Sequence, residues 1–208
     1  MSTNAAFWDR AARKYAARPV RDLDAYETTL ERVRTYLSEQ DRVLETGCGT
    51  GTTALKLAAA VGEYVATDVS PEMIAIAEEK RSSEPIDNVT FVTGDDRATE
   101  QLAGSFDAVM NFNLMHLVPD LSDTLRRAQE LLRPGGLFMS KTPCLADGAW
   151  YFRPLIWALR RAGIAPPVRI LSVAELEDAI RTAGFEIVET GNYPAKPPSH
   201  FVVARKTG

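Results

Sequence analysis

Cysteine and histidine are scarce in this chain, and its basic residues do not outnumber its acidic ones. The only two cysteines among 208 residues, Cys48 and Cys144, cannot form the disulfide framework of a small secreted domain and are typical of a reducing compartment. The net charge of −4 argues against a protein that covers nucleic-acid phosphates. No apolar run approaches the roughly 18 residues of a membrane span, and the first residues lack the apolar core of a signal peptide. We expect a soluble, cytoplasmic protein.

The chain does contain a regular alternation of short apolar runs, rich in β-branched residues, with patterns of helical spacing. The five runs predicted as strands begin at Arg42, Tyr64, Val89, Phe106 and Gly136. Ser70 followed by Pro71 is a typical helix start between two of them. Strict alternation predicts parallel strands with right-handed crossovers and helices on both faces of the sheet.

The end of the chain departs from this alternation. Ser172 and Glu175 have the spacing of a capping box, which predicts another helix start. Two strand patterns, beginning at Phe185 and His200, then follow with a connection too short for a parallel crossover. These strands should therefore form an antiparallel pair. We treat residues 1–208 as a single domain, with residues 1–40 as an N-terminal helical lid and residues 145–170 as a cap insertion.

Three glycines, Gly47, Gly49 and Gly51, occupy five positions between the first strand and the first crossover helix. So dense a glycine loop predicts either a very tight turn or a close approach of the backbone to a ligand. The spacing is not the G-x-G-x-x-G of dinucleotide-binding proteins, because Thr52 occupies the position of the third glycine. The glycines alone leave the tight turn and the ligand site equally open.

Acidic residues follow the first three predicted strands: Glu45, Asp68 and the pair Asp95–Asp96. In an open parallel sheet, ligands bind beyond the carboxyl ends of the strands. The carboxylate of Asp68 can accept hydrogen bonds from both hydroxyls of a ribose in such a position. The alternative is a solvated helix cap, because Asp68 also precedes a helix start.

Five segments, VLETGCGTG, VATDVSPEMIAIA, VTFVTGDD, FDAVMNFNLMHLV and LLRPGGLFMS, follow one another along the chain. With these segments in this order, the sequence resembles the class I S-adenosylmethionine-dependent methyltransferases over nearly its whole length. The resemblance implies an α/β fold with a Rossmann-like seven-stranded, mostly parallel sheet of order 3-2-1-4-5-7-6, whose last strand is antiparallel. It also implies S-adenosylmethionine as the cofactor and S-adenosylhomocysteine as its product.

The resemblance further implies which residues hold the methionine end of the cofactor. The loop from Gly47 through Cys48 to Gly49 would accept the methionine moiety, with Glu45 fixing the loop and reaching the amino group. Tyr15, in the N-terminal helical pattern, is similar to a tyrosine that many small-molecule members close over the cofactor.

The adenosine end is assigned by the same resemblance. Asp68 would bind both ribose hydroxyls, with Val69 and Met73 against the adenine. Asp95 would accept from the exocyclic amine, and the backbone of Asp96 would contact the ring.

The acceptor is expected beyond strand four. The resemblance implies that Asn111 and Phe112 line the sulfonium. His116 follows them and is our candidate general base, although its largely apolar neighbours favour the alternative of a histidine packed under the lid. Trp150 and Tyr151, in the insertion, are candidate acceptor contacts, and no metal site is predicted. We place the other histidine, His200, in a loop or at the surface.

Three functions fit the sequence, led by a small-molecule methyltransferase. A lipid or quinone methyltransferase with peripheral membrane contact is one alternative, because Arg153, Arg160 and Arg161 lie beside apolar residues. A non-catalytic cofactor-binding subunit that acts through a partner is the other. The sequence Asn-Phe-Asn-Leu after strand four lacks the Asn/Asp-Pro-Pro-Tyr pattern of many methyltransferases that act on nucleic-acid bases, which also argues against a nucleic-acid substrate.

Overall fold

The computed structural model describes residues 3–95, 98–99, 102–147 and 168–208. Helices occupy five regions before and between the strands and a sixth near the end: α1 (Thr3–Ala16), α2 (Leu23–Arg34), α3 (Thr52–Leu57), α4 (Pro71–Arg81), α5 (Leu121–Leu131) and α6 (Val173–Thr182). The strands are β1 (Arg42–Thr46), β2 (Glu63–Asp68), β3 (Val89–Thr93), β4 (Phe106–Phe112), β5 (Leu132–Pro143), β6 (Phe185–Asn192) and β7 (Ser199–Lys206).

The strands form one seven-stranded sheet of order β3-β2-β1-β4-β5-β7-β6. Strands β1 to β5 pair in parallel, and β7 is antiparallel to both β5 and β6. The predicted strand order and the antiparallel last strand are therefore confirmed. The carboxyl ends of β1, β2, β4 and β5 meet at one edge, and the antiparallel β7 begins at that same edge.

The predicted helix signals are present as side-chain hydrogen bonds. The Ser70 hydroxyl accepts from the backbone N–H of Met73 at 3.2 Å and caps α4. Ser172 and Glu175 form both hydrogen bonds of the capping box at the start of α6. These caps fix where the chain leaves the sheet and enters each helix.

Strand β5 differs from the prediction, because it begins at Leu132, directly after α5, and not at Gly136. Its register against β4 shifts between the pairs Phe106–Leu132 and Ala108–Leu137. The intervening residues bulge out of the ladder, with Gly135 in the left-handed region at φ 75°. The bulge lets the chain turn from helix to strand without a separate loop.

The sheet is covered on both faces by helices. Helices α2, α3 and α4 bury one face, where Val43, Tyr64 and Met110 lie in the core; we call this the α2–α4 face. Helices α5 and α6 bury the other, the α5–α6 face, against residues such as Leu44 and Phe138. Side chains alternate between these faces along each strand, so neighbouring residues at a strand end meet different surroundings.

The two N-terminal helices dock at different places. Helix α1 packs on α4, where Ala12, Met73 and Ile76 form a small buried cluster. Helix α2 is tied to the edge strand β6, because the Glu189 carboxylate accepts from Arg32 and from the Tyr36 hydroxyl. Of the predicted cap insertion, only residues 145–147 and 168–170 lie within the described ranges. In the described part of the chain, no helix is long and apolar enough to cross a membrane.

Candidate functional site

The loop between β1 and α3 contains three left-handed glycines, with φ of 69° at Gly47, 54° at Gly49 and 72° at Gly51. Two of them are close-packing positions. A Cβ on Gly47 would lie 2.8 Å from Leu114, and one on Gly51 would lie 2.6 Å from Phe91. Both glycines therefore let neighbouring side chains approach the backbone, which is the structural role that the sequence left open.

Gly49 differs from the other two because a Cβ built there would meet no atom closer than ordinary van der Waals contact. The nearest atom to a Cβ built there is Cε1 of Tyr15 on α1, at 4.0 Å. Desolvation, followed by the charges of Asp68 and Glu45, raises the pKa of Tyr15, so its phenol lies within electrostatic range of both carboxylates. The Tyr15 side chain is nevertheless 47% exposed. Tyr15 of α1 therefore lies directly over the loop at Gly49, where the sequence predicts the cofactor.

Asp68, at the end of β2, holds the loop and caps the next segment. Its Oδ2 accepts from the Gly49 N–H at 2.9 Å, and its Oδ1 accepts from the Ser70 N–H at 2.9 Å. Burial raises the pKa of this carboxyl, and the two N–H donors oppose that shift. Each carboxylate oxygen keeps acceptor capacity beyond its one backbone bond, so the cap and the predicted ribose contact are compatible.

Glu45 is a buried carboxyl beneath the same loop, with 2% of its surface exposed. The Tyr64 hydroxyl donates to its Oε2 at 2.9 Å. Burial raises the pKa of Glu45 to about 7, the Tyr64 bond lowers it, and the charge of Asp68 raises it further. A carboxyl with this pKa is readily ionised by a bound cation. Glu45 and Asp68 together therefore suit a ligand that carries both positive charge and a ribose.

Cys48 lies within the loop but has a structural setting. Its N–H donates to the Thr67 carbonyl at 2.9 Å, which ties the loop to β2. Its thiol is buried and donates to the Gly49 carbonyl over 3.7 Å. Burial raises the pKa of the thiol well above its usual range, so Cys48 is protonated and unreactive at neutral pH.

The residues predicted to contact adenine differ in how accessible they are to a ligand. Val69 is half-buried beside Asp68, and Asp95 is exposed after β3. Met73, by contrast, is 2% exposed because α1 covers it. Asp96 lies outside the described residues, and the prediction for it stays a prediction.

Asn111 and Phe112, predicted together at the sulfonium, lie on opposite faces of β4. The Asn111 amide donates to the Thr46 hydroxyl and lies beside Thr124 and Ala128 of α5. Phe112 packs on the α2–α4 face, which is the face of Glu45. The structure therefore keeps Phe112 on the face of Glu45 and turns the Asn111 side chain to the other face; the predicted sulfonium contacts of both residues stay predictions.

His116 lies in the segment after β4, beyond a turn at Asn113 with φ 54°. Its Nδ1 is buried and has no hydrogen-bond partner among the residues that the structure describes. Burial lowers the pKa of the imidazole to about 4, so the ring is neutral at physiological pH. The Arg169 N–H donates to the His116 carbonyl at 2.7 Å and fixes the backbone. Trp150 and Tyr151 lie outside the described ranges, and their predicted acceptor contacts stay predictions.

The interpretation of His200 as a loop or surface residue was wrong. It lies within β7 and is 2% exposed. Its Nδ1 is 2.9 Å from Asn192 Oδ1, and its Nε2 is 3.0 Å from Glu177 Oε1. Because both ring nitrogens have partners in β6 and α6, His200 joins those elements.

A buried lysine at the end of β5 was missed from the sequence. Lys141 pairs in register with Phe112 of β4 and is 9% exposed. Its ammonium donates to the Thr29 hydroxyl at 2.8 Å and to the Ala25 carbonyl at 3.2 Å, both in α2. Burial lowers its pKa to about 8, against the opposing charge of Asp22. The signal was a lysine inside a predicted strand, between Ser140 and Thr142.

Comparison with known proteins agrees with this geometry. The sequence profile of the methyltransferase-domain family matches residues 43–136. Ubiquinone biosynthesis O-methyltransferase of Xanthomonas axonopodis pv. citri is 32% identical over 162 residues, which cover 75% of this chain and 67% of that protein.

Two solved structures are similar in fold. An S-adenosylmethionine-dependent methyltransferase of Thermotoga maritima has a TM-score of 0.71 and 21% identity, covering 98% of this chain and 99% of the other. A geranyl diphosphate methyltransferase in complex with GPP and sinefungin has a TM-score of 0.70 and 16% identity, covering 87% and 78% respectively. The motifs, the sheet order and these similarities establish that the chain belongs to the S-adenosylmethionine-dependent methyltransferases.

Proposed function

We propose that this chain methylates a hydroxyl group of a small-molecule acceptor, with His116 as the general base. The observation that carries the proposal is the neutral His116 imidazole, whose buried Nδ1 has no partner within the described residues. A neutral ring nitrogen can accept the proton of a hydroxyl, and a positioned base contributes roughly 10²–10⁴-fold to such a reaction. The name of the Xanthomonas relative, an O-methyltransferase, supports an oxygen acceptor.

The residues around the glycine loop fit S-adenosylmethionine. Gly49 presents its backbone beneath Tyr15 without a steric clash, Asp68 retains acceptor capacity for ribose hydroxyls, and Glu45 can balance a positive charge. The related fold solved with sinefungin, an analogue of this cofactor, supports the same use. When bound, S-adenosylmethionine supplies an electrophilic methyl group on a cationic sulfonium.

His116 would act through proton transfer and not as a nucleophile. Its burial disfavours an imidazolium while the site already holds the positive cofactor. Methyl transfer removes that charge as His116 gains a proton from the hydroxyl, so the total charge of the site does not change. The low pKa of the free ring is therefore compatible with a base that is protonated only as the methyl group moves.

Tyr15 and α1 would exclude water from the reacting groups. In-line methyl transfer depends mainly on alignment and on a water-free site. Lys141 at the end of β5 would hold α2 against the sheet on the other side of the site, through its hydrogen bonds to α2. Both cysteines are free and buried in the described structure, which supports our inference of a cytoplasmic enzyme.

The experiment combines acceptor identification with two histidine variants. The protein would be incubated with a metabolite extract and S-adenosylmethionine labelled in its methyl group, and the labelled product identified. With a hydroxyl acceptor, His116→Ala should lower turnover at least about tenfold and leave cofactor affinity unchanged. His200→Asn is the control, because the His200 ring contacts β6 and α6 and is not assigned to the acceptor. Equal activity of His116→Ala and parent on a hydroxyl acceptor would contradict the base assignment.

A quinone precursor at a membrane surface is the second candidate, because the Xanthomonas relative is named for ubiquinone biosynthesis. Co-sedimentation with vesicles of anionic phospholipid separates it from an acceptor free in solution. Binding to the vesicles, together with labelling of a quinone-type product, would favour this candidate. Isolation of the chain only in a stable complex, inactive on its own, would instead favour the non-catalytic subunit.

A further inference from the structure

Lys80, on α4, lies behind the glycine loop and outside the residues assigned to the cofactor. Its ammonium donates to the Thr50 carbonyl at 2.9 Å, to the Thr50 hydroxyl at 2.8 Å and to the Thr52 hydroxyl at 2.8 Å. A lysine ammonium has three protons, and here each is directed at the loop or at the first residue of α3.

The position of the Lys80 ammonium is electrostatically unfavourable. The ammonium is half-buried, and no carboxylate forms an ion pair with it in the described ranges. It also lies at the first turn of α3, where the helix dipole disfavours positive charge. Burial accordingly lowers the pKa of Lys80. The three hydrogen bonds of the ammonium must therefore offset the cost of placing its charge there.

The hydrogen bonds complete a set of contacts from the β2–α4 segment to successive loop residues. Asp68 holds the N–H of Gly49 at 2.9 Å. Ala77, one turn before Lys80, packs so closely that a Cβ on Gly51 would lie 2.7 Å from it. Lys80 binds Thr50, the residue between those two glycines. The β2–α4 segment therefore contacts three consecutive loop residues, Gly49, Thr50 and Gly51. Both glycines of this stretch have left-handed backbone conformations.

We propose that Lys80 is a positioning residue that holds the glycine loop in the conformation that receives the methionine end of the cofactor. The proposal rests on the assignment of that loop to S-adenosylmethionine, and it does not depend on the acceptor or on His116. Because Asp68 and not the loop backbone is assigned to the ribose, loss of Lys80 should affect the methionine end selectively.

The test compares two ligands that share the nucleoside. S-Adenosylhomocysteine has the methionine end and adenosine lacks it, and both can be titrated calorimetrically without an acceptor. Lys80→Met keeps the aliphatic chain and removes all three donors. We expect the Kd of S-adenosylhomocysteine to rise about tenfold, since hydrogen bonds from charged groups are the strong ones, while the Kd of adenosine stays within about twofold.

Three further variants complete the design. Lys80→Arg retains donors that can reach Thr50 and Thr52 and should restore S-adenosylhomocysteine binding. Lys56→Met removes an exposed lysine of α3 that pairs with Glu27 and should leave both ligands unaffected. Thr52→Val removes one acceptor, keeps the lysine and tests the same contact should Lys80→Met fail to fold.

The outcomes separate positioning from general stabilisation. Selective loss of S-adenosylhomocysteine affinity, rescued by arginine, supports the proposal. An unchanged Kd in Lys80→Met, or in Thr52→Val where that variant replaces it, overturns it. Equal weakening of both ligands, or the same loss in Lys56→Met, also overturns it, because the lysine would then act on the whole fold. Failure of the parent protein to bind either ligand would instead reject the cofactor assignment.

Discussion

The carboxylate of Asp9 in α1 accepts a hydrogen bond of 2.5 Å from the Ser70 hydroxyl, the cap of α4. Asp9 also accepts from the Glu72 N–H at 3.2 Å. Ser70 is itself bound to Asp68 through its backbone, so the N-terminal helix is attached to the segment that carries the ribose candidate. Arg13, one turn further along α1, adds ion pairs with Glu72 and Glu79.

We expect Asp9→Ala to loosen α1 and to weaken S-adenosylhomocysteine binding by about three- to tenfold, because water then reaches the space beneath Tyr15. Asp22→Ala, which removes the cap of α2, is the control for loss of an N-terminal carboxylate. Hydrogen exchange should show faster exchange in α1 of the Asp9 variant and unchanged exchange in β1 and β4. If hydrogen exchange in α1 is faster but the affinity for S-adenosylhomocysteine is unaltered, the helix does not cover the ligand.

Cofactor affinity should depend on pH through Glu45. Its carboxyl has a pKa of about 7 in the free protein, and only the ionised form attracts the cationic cofactor. The affinity for S-adenosylmethionine should therefore rise as the pH increases through about 7, with proton release in calorimetry. Glu45→Gln should bind more weakly and lose this dependence. A pH-independent parent would show that Glu45 does not meet the cofactor's charge.

Asp68→Ala should weaken S-adenosylhomocysteine by about 1.5–3 kcal/mol, the usual range for hydrogen bonds to charged groups. Asp68→Asn should lose less, because an amide oxygen still accepts one bond. Both variants should also melt earlier, since both the Gly49 and the Ser70 N–H groups lose their acceptor in Asp68→Ala and one of them does in Asp68→Asn. Glu84→Ala, an exposed carboxylate after α4, serves as the control. Parent-like affinity in Asp68→Ala would rule out the ribose assignment.

The loop glycines should separate binding from folding. Gly49→Ala and Gly51→Ala both place a side chain at positive φ, a cost of about 1–2 kcal/mol. Only Gly51→Ala also collides with Phe91 and Ala77, and overpacking adds about 1–3 kcal/mol. Urea unfolding should therefore show the larger loss for Gly51→Ala. The bulkier Gly49→Val should abolish cofactor binding in a chain that still folds. A Kd equal to that of the parent would contradict the assignment of the cofactor to the backbone at Gly49.

The His116 ring, whose Nδ1 is buried, should make the fold acid-sensitive. Its folded pKa, about 4, is below its unfolded value of 6.5, so the unfolded state binds more protons between those values. Its contribution is fully present above pH 6.5 and is lost as the pH falls toward 4, a change of about 2–3 kcal/mol. His116→Phe should remove this component. Parallel pH profiles of unfolding for parent and variant would show that the ring is hydrated.

Much of the fold was predictable because each crossover carries its own local signal. The Ser70 cap, the Ser172–Glu175 capping box and the glycine loop mark boundaries within a few residues of sequence. The link between Asp68 and Gly49 was also within reach, since both follow neighbouring parallel strands. Strand β5 was predicted too short because the bulge at Gly135 satisfies the backbone in a way that no local residue preference indicates.

The contacts that were missed all join residues far apart in the chain. Lys80 meets Thr50, Lys141 meets Thr29, and no local spacing pairs a lysine with a distant hydroxyl. His200 was misplaced because its burial depends on Glu177 and Asn192, which meet it only after β6 and β7 have paired. The hydrogen bond of Asn111 to Thr46 was likewise not predicted, because it joins strands β1 and β4 across the sheet.

The different anchoring of the two N-terminal helices has a kinetic consequence. Helix α2 is fixed on the sheet by Lys141 and by Glu189, whereas α1 is fixed on α4 by Asp9 and Arg13. Residues 17–22 connect these two separately anchored helices. If the cofactor binds beneath Tyr15 as proposed, release of its product requires α1 to move away from α4. We then expect the residence time of the product to shorten at high salt, because the exposed ion pairs of Arg13 hold α1 together with its buried cluster on α4.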